Sequence, residues 1–115
     1  MSAPLVSIGL PTYNRAGLLG ESLATLVAQD YTNLEIVVSD NASTDQTRDV
    51  CESFSRRDPR IRYHRNPATI PAFENFRQAL WLCRGEYFMW ASDDDRWESA
   101  FVSTLRWQPV ARFGF

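Results

Sequence analysis

The chain reads as an α/β fold, a mostly parallel sheet with helices on both faces. Short apolar or alternating runs are each followed by a stretch of helical periodicity, and polar turns separate them. Its 115 residues, 44% hydrophobic and 23% charged, suffice for one ordinary globular core, so a single domain over residues 1–115 is expected. Such a Rossmann-like sheet binds ligands outside the carboxyl ends of its strands.

The run LVSIGL, Leu5 to Leu10, is nearly continuous and apolar, as a strand buried on both faces must be. From Gly17 to Gln29, Leu19, Leu23, Leu26 and Val27 recur at helical spacing. LEIVVS, Leu34 to Ser39, is a second buried strand, and it ends at Asp40. Ser43 or Thr44 can cap a helix running to about Arg57, with Val50, Cys51 and Phe54 turned inward. Arg60 to His64 alternates weakly and is read as the third strand. Pro71 suits a first helical position, and Phe73, Phe76, Ala79, Leu80 and Cys83 mark a helix that stops before Gly85. Glu86 to Ala91 is the fourth strand, and Glu98 to Trp107 a last helix.

The charge pattern excludes several classes. Net charge is −2, all twelve basic residues are arginine, and no helix-turn-helix, finger or RNA-recognition pattern occurs, so nucleic acid is not an expected partner. Arg56, Arg57, Arg60, Arg62 and Arg65 crowd one stretch; arginine suits phosphate, but a solvated helix end and edge strand explains them as well. Cys51 and Cys83 lack metal spacing and are read as small core hydrophobes. His64 has no nucleophile pattern around it and is read as structural. The N-terminus lacks a basic segment followed by a long apolar one, and no apolar run approaches the roughly 20 residues of a membrane span. A cytoplasmic protein is expected, held at the inner membrane face only through parts outside this sequence.

The strand ends carry the chemistry: Pro11 to Arg15, Asp40 to Ser43, Asn66 onward, and Asp93, Asp94 and Asp95. After the first strand stands PTYNRAG, neither a dinucleotide fingerprint nor a phosphate-binding P-loop. A diphosphate would then need another partner, and a divalent metal held by carboxylates is the natural one. Three adjacent aspartates repel one another, so a cluster of this kind is either a solvated turn or a site completed by a cation.

PTYNR, VVSDNASTDQT and NFRQALWLCRGEYFMWASDDDRW together resemble the inverting glycosyltransferases of family 2, which have the GT-A fold. The resemblance runs from about Val6 to Trp97. It implies a nucleotide-diphosphate sugar as donor, Mn²⁺ or Mg²⁺ as cofactor, and a saccharide, lipid or protein acceptor, as in cell wall or polysaccharide biosynthesis. Pro11, Thr12 and Tyr13 would lie against the base, Asp40 would accept hydrogen bonds from it, and Asn41 and Ser43 would shape its pocket. In the family's D-x-D pattern, two registers are open here: Asp93-x-Asp95, or Ser92 and Asp94 counted back from Trp97. Asp94 is favoured as principal metal ligand, with Asp93 toward the ribose and Asp95 as a second or water-mediated ligand.

Two departures stand out. The loop Asn66-Pro67-Ala68-Thr69-Ile70-Pro71 lacks the glycine that family members commonly carry after its asparagine. After the triplet only Glu98 is acidic, so the base that inversion requires is expected beyond Phe115 and the sequence reads as the donor-binding part of a transferase. An uncovered surface with Trp107, Phe113 and Phe115 would favour self-association. The alternative is a non-catalytic Rossmann-like regulatory or Mg²⁺-binding module. A receiver domain is disfavoured by the absence of lysine and of any acid in PTYN.

Overall fold

The computed structural model describes residues 3–106. The elements follow in the order β1 (Val6–Thr12), α1 (Ala16–Val27), β2 (Leu34–Asp40), α2 (Thr47–Arg57), β3 (Ile61–Arg65), α3 (Ala72–Leu82), β4 (Tyr87–Trp90) and α4 (Phe101–Thr104). The four strands form one parallel sheet in the order β3-β2-β1-β4. The α/β architecture expected from the alternation is therefore present.

Residue parity divides the sheet's two faces. Val6, Ile8 and Leu10 of β1 join Ile36 and Val38 of β2 and pack on Leu19, Leu23 and Leu26 of α1, Cys51 of α2 and Val102 of α4. The three α1 leucines are fully buried, each contributing about 1.5–3 kcal/mol. The odd residues meet α3, where a Cβ added at Gly9 would lie 2.8 Å from the Phe88 ring and 3.3 Å from the Ala79 Cβ. Glycine there lets helix and neighbouring strand close over β1.

This second face is partly polar. Glu35 accepts hydrogen bonds from the Ser7 hydroxyl at 2.5 Å, the Arg84 amide, and the Arg62 guanidinium at 2.9 Å. Burial alone would raise the Glu35 pKa, but these donors outweigh it and hold the carboxyl below its usual range. Arg62 also donates to the Leu82 carbonyl at the end of α3, and Arg60 to the Val27 carbonyl at the end of α1. Arg57 stacks over Phe54 at 4.7 Å. Arg60 and Arg62 thus close helix ends, and Arg57 covers the Phe54 ring.

Several boundaries moved for physical reasons. β1 continues through Pro11 to Thr12. Pro11 has the parity of Gly9, whose carbonyl faces β4 and accepts from Ala91 at 2.8 Å, and β4 pairs no further, so the missing N–H costs no ladder bond. α2 begins at Thr47, not at Ser43 or Thr44, because Asn14 engages both of those residues, its amide donating to the Ser43 hydroxyl and its side chain accepting from the Thr44 amide. α3 buries Asn75 and Ala79, while Phe73 and Phe76 stand outward. Trp97 packs against the core. Cys51 and Cys83 are free and buried, as expected of core thiols, and burial pushes the Cys51 thiol up to about 12. Within the described residues the last helix is Phe101–Thr104; Trp107, Phe113 and Phe115 lie outside them. No described helix is long and apolar enough to cross a membrane.

Candidate functional site

The chain crosses from β3 on one side of β1 to β4 on the other, and ligand crevices open at such a reversal of strand order. A cavity of about 390 Å³ lies there. Pro11, Thr12, Tyr13 and Arg15 border it after β1, Asn41 after β2, Asn75 and Phe76 on α3, and Ser92, Asp93 and Asp94 after β4. Its size falls in the range of about 300–1,000 Å³ usual for small-molecule sites.

Its two sides differ in chemistry. Tyr13 is 48% exposed, so its ring is a wall of the cavity rather than core packing. At the other side Asp93, 9% exposed, accepts from the Thr12 hydroxyl at 2.8 Å, and exposed Asp94 accepts from the Ser92 hydroxyl. The Arg15 guanidinium lies 3.0 Å from Asp94 and 3.6 Å from Asp93. Burial raises the Asp93 pKa despite Thr12 and Arg15, with the Asp94 charge adding to the rise. The Ser92 hydrogen bond, helped by Arg15, lowers that of Asp94. The two neighbouring carboxyls are thereby driven apart in acidity, Asp93 upward and Asp94 downward.

Of the predicted residues, Pro11, Thr12, Tyr13, Asn41, Asp93 and Asp94 converge on the cavity. Asp95 does not line it; its main-chain carbonyl accepts from Ser22 at 2.5 Å on α1. Asp40 and Ser43 stand one layer behind it. Asp40 is 0% exposed, with one oxygen accepting from the Ser43 amide at 3.0 Å and hydroxyl at 2.5 Å. Its other oxygen accepts from the Tyr63 hydroxyl at 2.6 Å and lies 3.6 Å from Arg65. Between them Ala42 takes a φ of 61°, which costs a non-glycine residue about 1–2 kcal/mol. The Asp40 bonds and the Arg65 bond to the Ser43 carbonyl at 2.7 Å hold that turn.

The loop that lacks a glycine is held by amides. The Asn41 side chain donates to the Ile70 carbonyl at 2.7 Å and accepts from the Ile70 amide at 2.9 Å and from Asn66 at 3.1 Å. Asn66 also reaches Asn75, which pairs with Ser39. His64 sits beside this network within 3.0 Å of Asn66 and Gln78, in keeping with a structural role.

Sequence reasoning gave Asn75 and Phe76 no place at the cavity, and gave Arg15 and Ser92 only a strand-end position and one D-x-D register. A polar Asn75 on the buried stripe of α3, four residues before Ala79, was the available signal. Asp45 was missed as well: it accepts from the Ala16 amide at 3.2 Å and from the Thr47 amide at 2.9 Å, serving two helix starts. Desolvation against the neighbouring turn would raise the pKa of this exposed carboxyl, but the Thr47 and Ala16 donors outweigh that and lower it. Removing this acceptor from two helix starts in Asp45→Ala should cost about 1 kcal/mol at pH 7. A depressed carboxyl stabilises the fold above its unfolded value near 4 and loses that contribution as pH falls through its folded value. Thermal melts at pH 7 and pH 3 should accordingly show a smaller gap between the two chains in acid.

A divalent ion fits this donor set. Hard cations of the Mg²⁺ type are held by one or two carboxylates, with substrate phosphates and water completing the shell. At the cavity Asp94 supplies one such carboxylate with Asp93 beside it, and among the described residues no group of three or more His, Cys, Asp or Glu side chains stands together as a metal site.

Comparison with known proteins shows what the chain is similar to. The sequence profile described as Glycosyl transferase family 2 matches residues 7–105. The chain is 36% identical over 94 residues to the putative colanic acid biosynthesis glycosyl transferase WcaA of Escherichia coli, covering 82% of this chain and 34% of that protein. It is 34% identical over 110 residues to the GalNAc(5)-diNAcBac-PP-undecaprenol beta-1,3-glucosyltransferase of Campylobacter jejuni, covering 89% and 33%. Among solved structures, the mannosyltransferase PcManGT of Pyrobaculum calidifontis, in complex with GDP-Man and Mn²⁺, superposes with a TM-score of 0.76 at 30% identity. That match covers 84% of this chain and 29% of the other. S. aureus TarS 1-349 in complex with UDP-GlcNAc superposes with a TM-score of 0.77 at 27% identity, covering 88% and 29%. The chain spans about a third of the length of these relatives.

Proposed function

Because the chain belongs to glycosyl transferase family 2, we propose that residues 3–106 bind the nucleotide-diphosphate sugar donor of a metal-dependent, inverting transferase. One observation carries this reading: an exposed aromatic wall and a carboxylate pair with a guanidinium border the same cavity at the reversal of strand order. The base would lie toward Pro11, Thr12, Tyr13 and Asn41. Asp40 and Ser43 would act on it by shaping the turn beside Asn41. Asp94, with Asp93 toward the ribose, would hold Mn²⁺ or Mg²⁺; Asp95 would contribute through water. Bound there, the ion would neutralise the diphosphate as the sugar departs.

The acids bordering the cavity, Asp93 and Asp94, are both on the metal side. Neither would serve as the base that deprotonates the acceptor, which this reading places away from the metal side. Relatives include a transferase named for an undecaprenol-linked acceptor, which supports a saccharide or lipid-linked acceptor here. Calorimetric titration of UDP with and without Mn²⁺ tests the reading. Binding should require the ion, and Asp94→Ala should weaken it by at least the 10–100-fold, roughly, that follows loss of a ligand's supporting partner. Equal heats in both conditions would refute the metal assignment.

A further inference from the structure

Arg15 closes the PTYNR run after β1, and its guanidinium lies 3.0 Å from Asp94, the carboxylate proposed to hold the metal, and 3.6 Å from Asp93 beside it. Its main chain is anchored: Asn14, at a φ of 50°, donates its amide to the Ser43 hydroxyl and accepts from the Thr44 amide. Its side chain is 49% exposed and borders the cavity, so it has room to move.

Resting on the donor-binding reading above, we propose that Arg15 couples metal to nucleotide. It competes with the divalent ion for Asp94 and pairs with the donor diphosphate once the ion is in place. The physical case is charge balance. A guanidinium 3.0 Å from Asp94 occupies an oxygen that a metal would need at about 2.0–2.1 Å, the Mg²⁺ bonding distance. Two carboxylates cannot satisfy three positive charges at short range. A diphosphate brings further negative charge and planar oxygen pairs that suit arginine in particular, so metal and guanidinium become compatible only in its presence. The ion alone binds weakly, and ion and nucleoside diphosphate strengthen each other.

Mn²⁺ binding, followed by the electron paramagnetic resonance of free ion, should be measured on the 115-residue chain and on Arg15→Gln, with and without UDP. Without nucleotide the variant should bind Mn²⁺ about 5-fold more tightly, and with saturating Mn²⁺ it should bind UDP about 10-fold more weakly, so the coupling between the two ligands shrinks. Arg15→Lys, which keeps the charge, should retain most of the competition and lose part of the UDP affinity. Melting midpoints within about 3 °C of the parent would verify that the variants fold, since the pair is exposed. Unchanged or weaker Mn²⁺ affinity in Arg15→Gln, or no Mn²⁺ binding by either chain, would overturn the proposal. If Arg15→Gln tightens Mn²⁺ but neither chain binds UDP, the competition stands and the donor reading falls. If both chains bind UDP with equal coupling to Mn²⁺, the donor reading stands and the role of Arg15 falls.

Discussion

Gly85→Ala should destabilise the chain by about 3–5 kcal/mol, combining overpacking with the loss of buried hydrogen bonds. A Cβ at this position would overlap the Ser7 hydroxyl and lie 2.8 Å from both the Leu5 carbonyl oxygen and the Ser7 amide nitrogen. Two of those atoms are main chain of β1's beginning, so no rotamer change can clear them. The Gly85 amide donates to Ser7 at 2.6 Å, and Ser7 in turn donates to the buried Glu35 carboxylate. Displacing Gly85 therefore loosens the partners of a charge that has little access to water. Urea unfolding should register this as a lower midpoint at unchanged slope. Gly17→Ala is the matched control: nothing lies within 4 Å of its added methyl, and a helical glycine replaced by alanine should gain about 0.5–1 kcal/mol. Similar midpoints for Gly85→Ala and the parent would show that β1 can yield where the geometry says it cannot.

Asp40→Ala should cost about 2–4 kcal/mol, less than a wholly enclosed ion pair because Arg65 is partly exposed to solvent. Removal leaves the Tyr63 hydroxyl, the Ser43 amide and the Arg65 guanidinium short of an acceptor, and releases the strained turn at Ala42. Asp40→Asn keeps the shape and should fold, which makes it the variant for ligand work. It should weaken UDP more than pyrophosphate, both measured with Mn²⁺, because only UDP carries a base to rest beside Asn41. Equal losses for the two ligands would remove the Asp40 turn from the base side of the cavity.

Much of the scaffold was legible because it is encoded between near neighbours. Strands buried on both faces must be almost wholly apolar, and β1 and β2 were recognisable for that reason even with Ser7 and Glu35 inside them. Leucines at helical spacing marked the buried stripe of α1. The helix α3 was legible too, but which side of it is buried was not: Phe73 and Phe76 have the period and polarity of core residues and stand outward, while Asn75 is buried. Periodicity cannot distinguish an aromatic that borders a cavity from one that fills a core, nor foresee that three asparagines and a serine will satisfy one another beneath it.

The sequence by itself determined the α/β class, the strand ends that carry polar groups and the likeness to family 2 glycosyltransferases. These depend on residue type and local spacing. Tertiary structure alone decided which of three adjacent aspartates enter the cavity, that Asp40 stands behind it, and that Arg15 reaches Asp94 and Thr12 reaches Asp93 across 79 and 81 residues of chain. The physical reason is the sheet order. A crossover that sets β4 beside β1 brings together side chains that no local pattern connects, and the turn after Ala91 then assigns identical carboxylates to different surroundings.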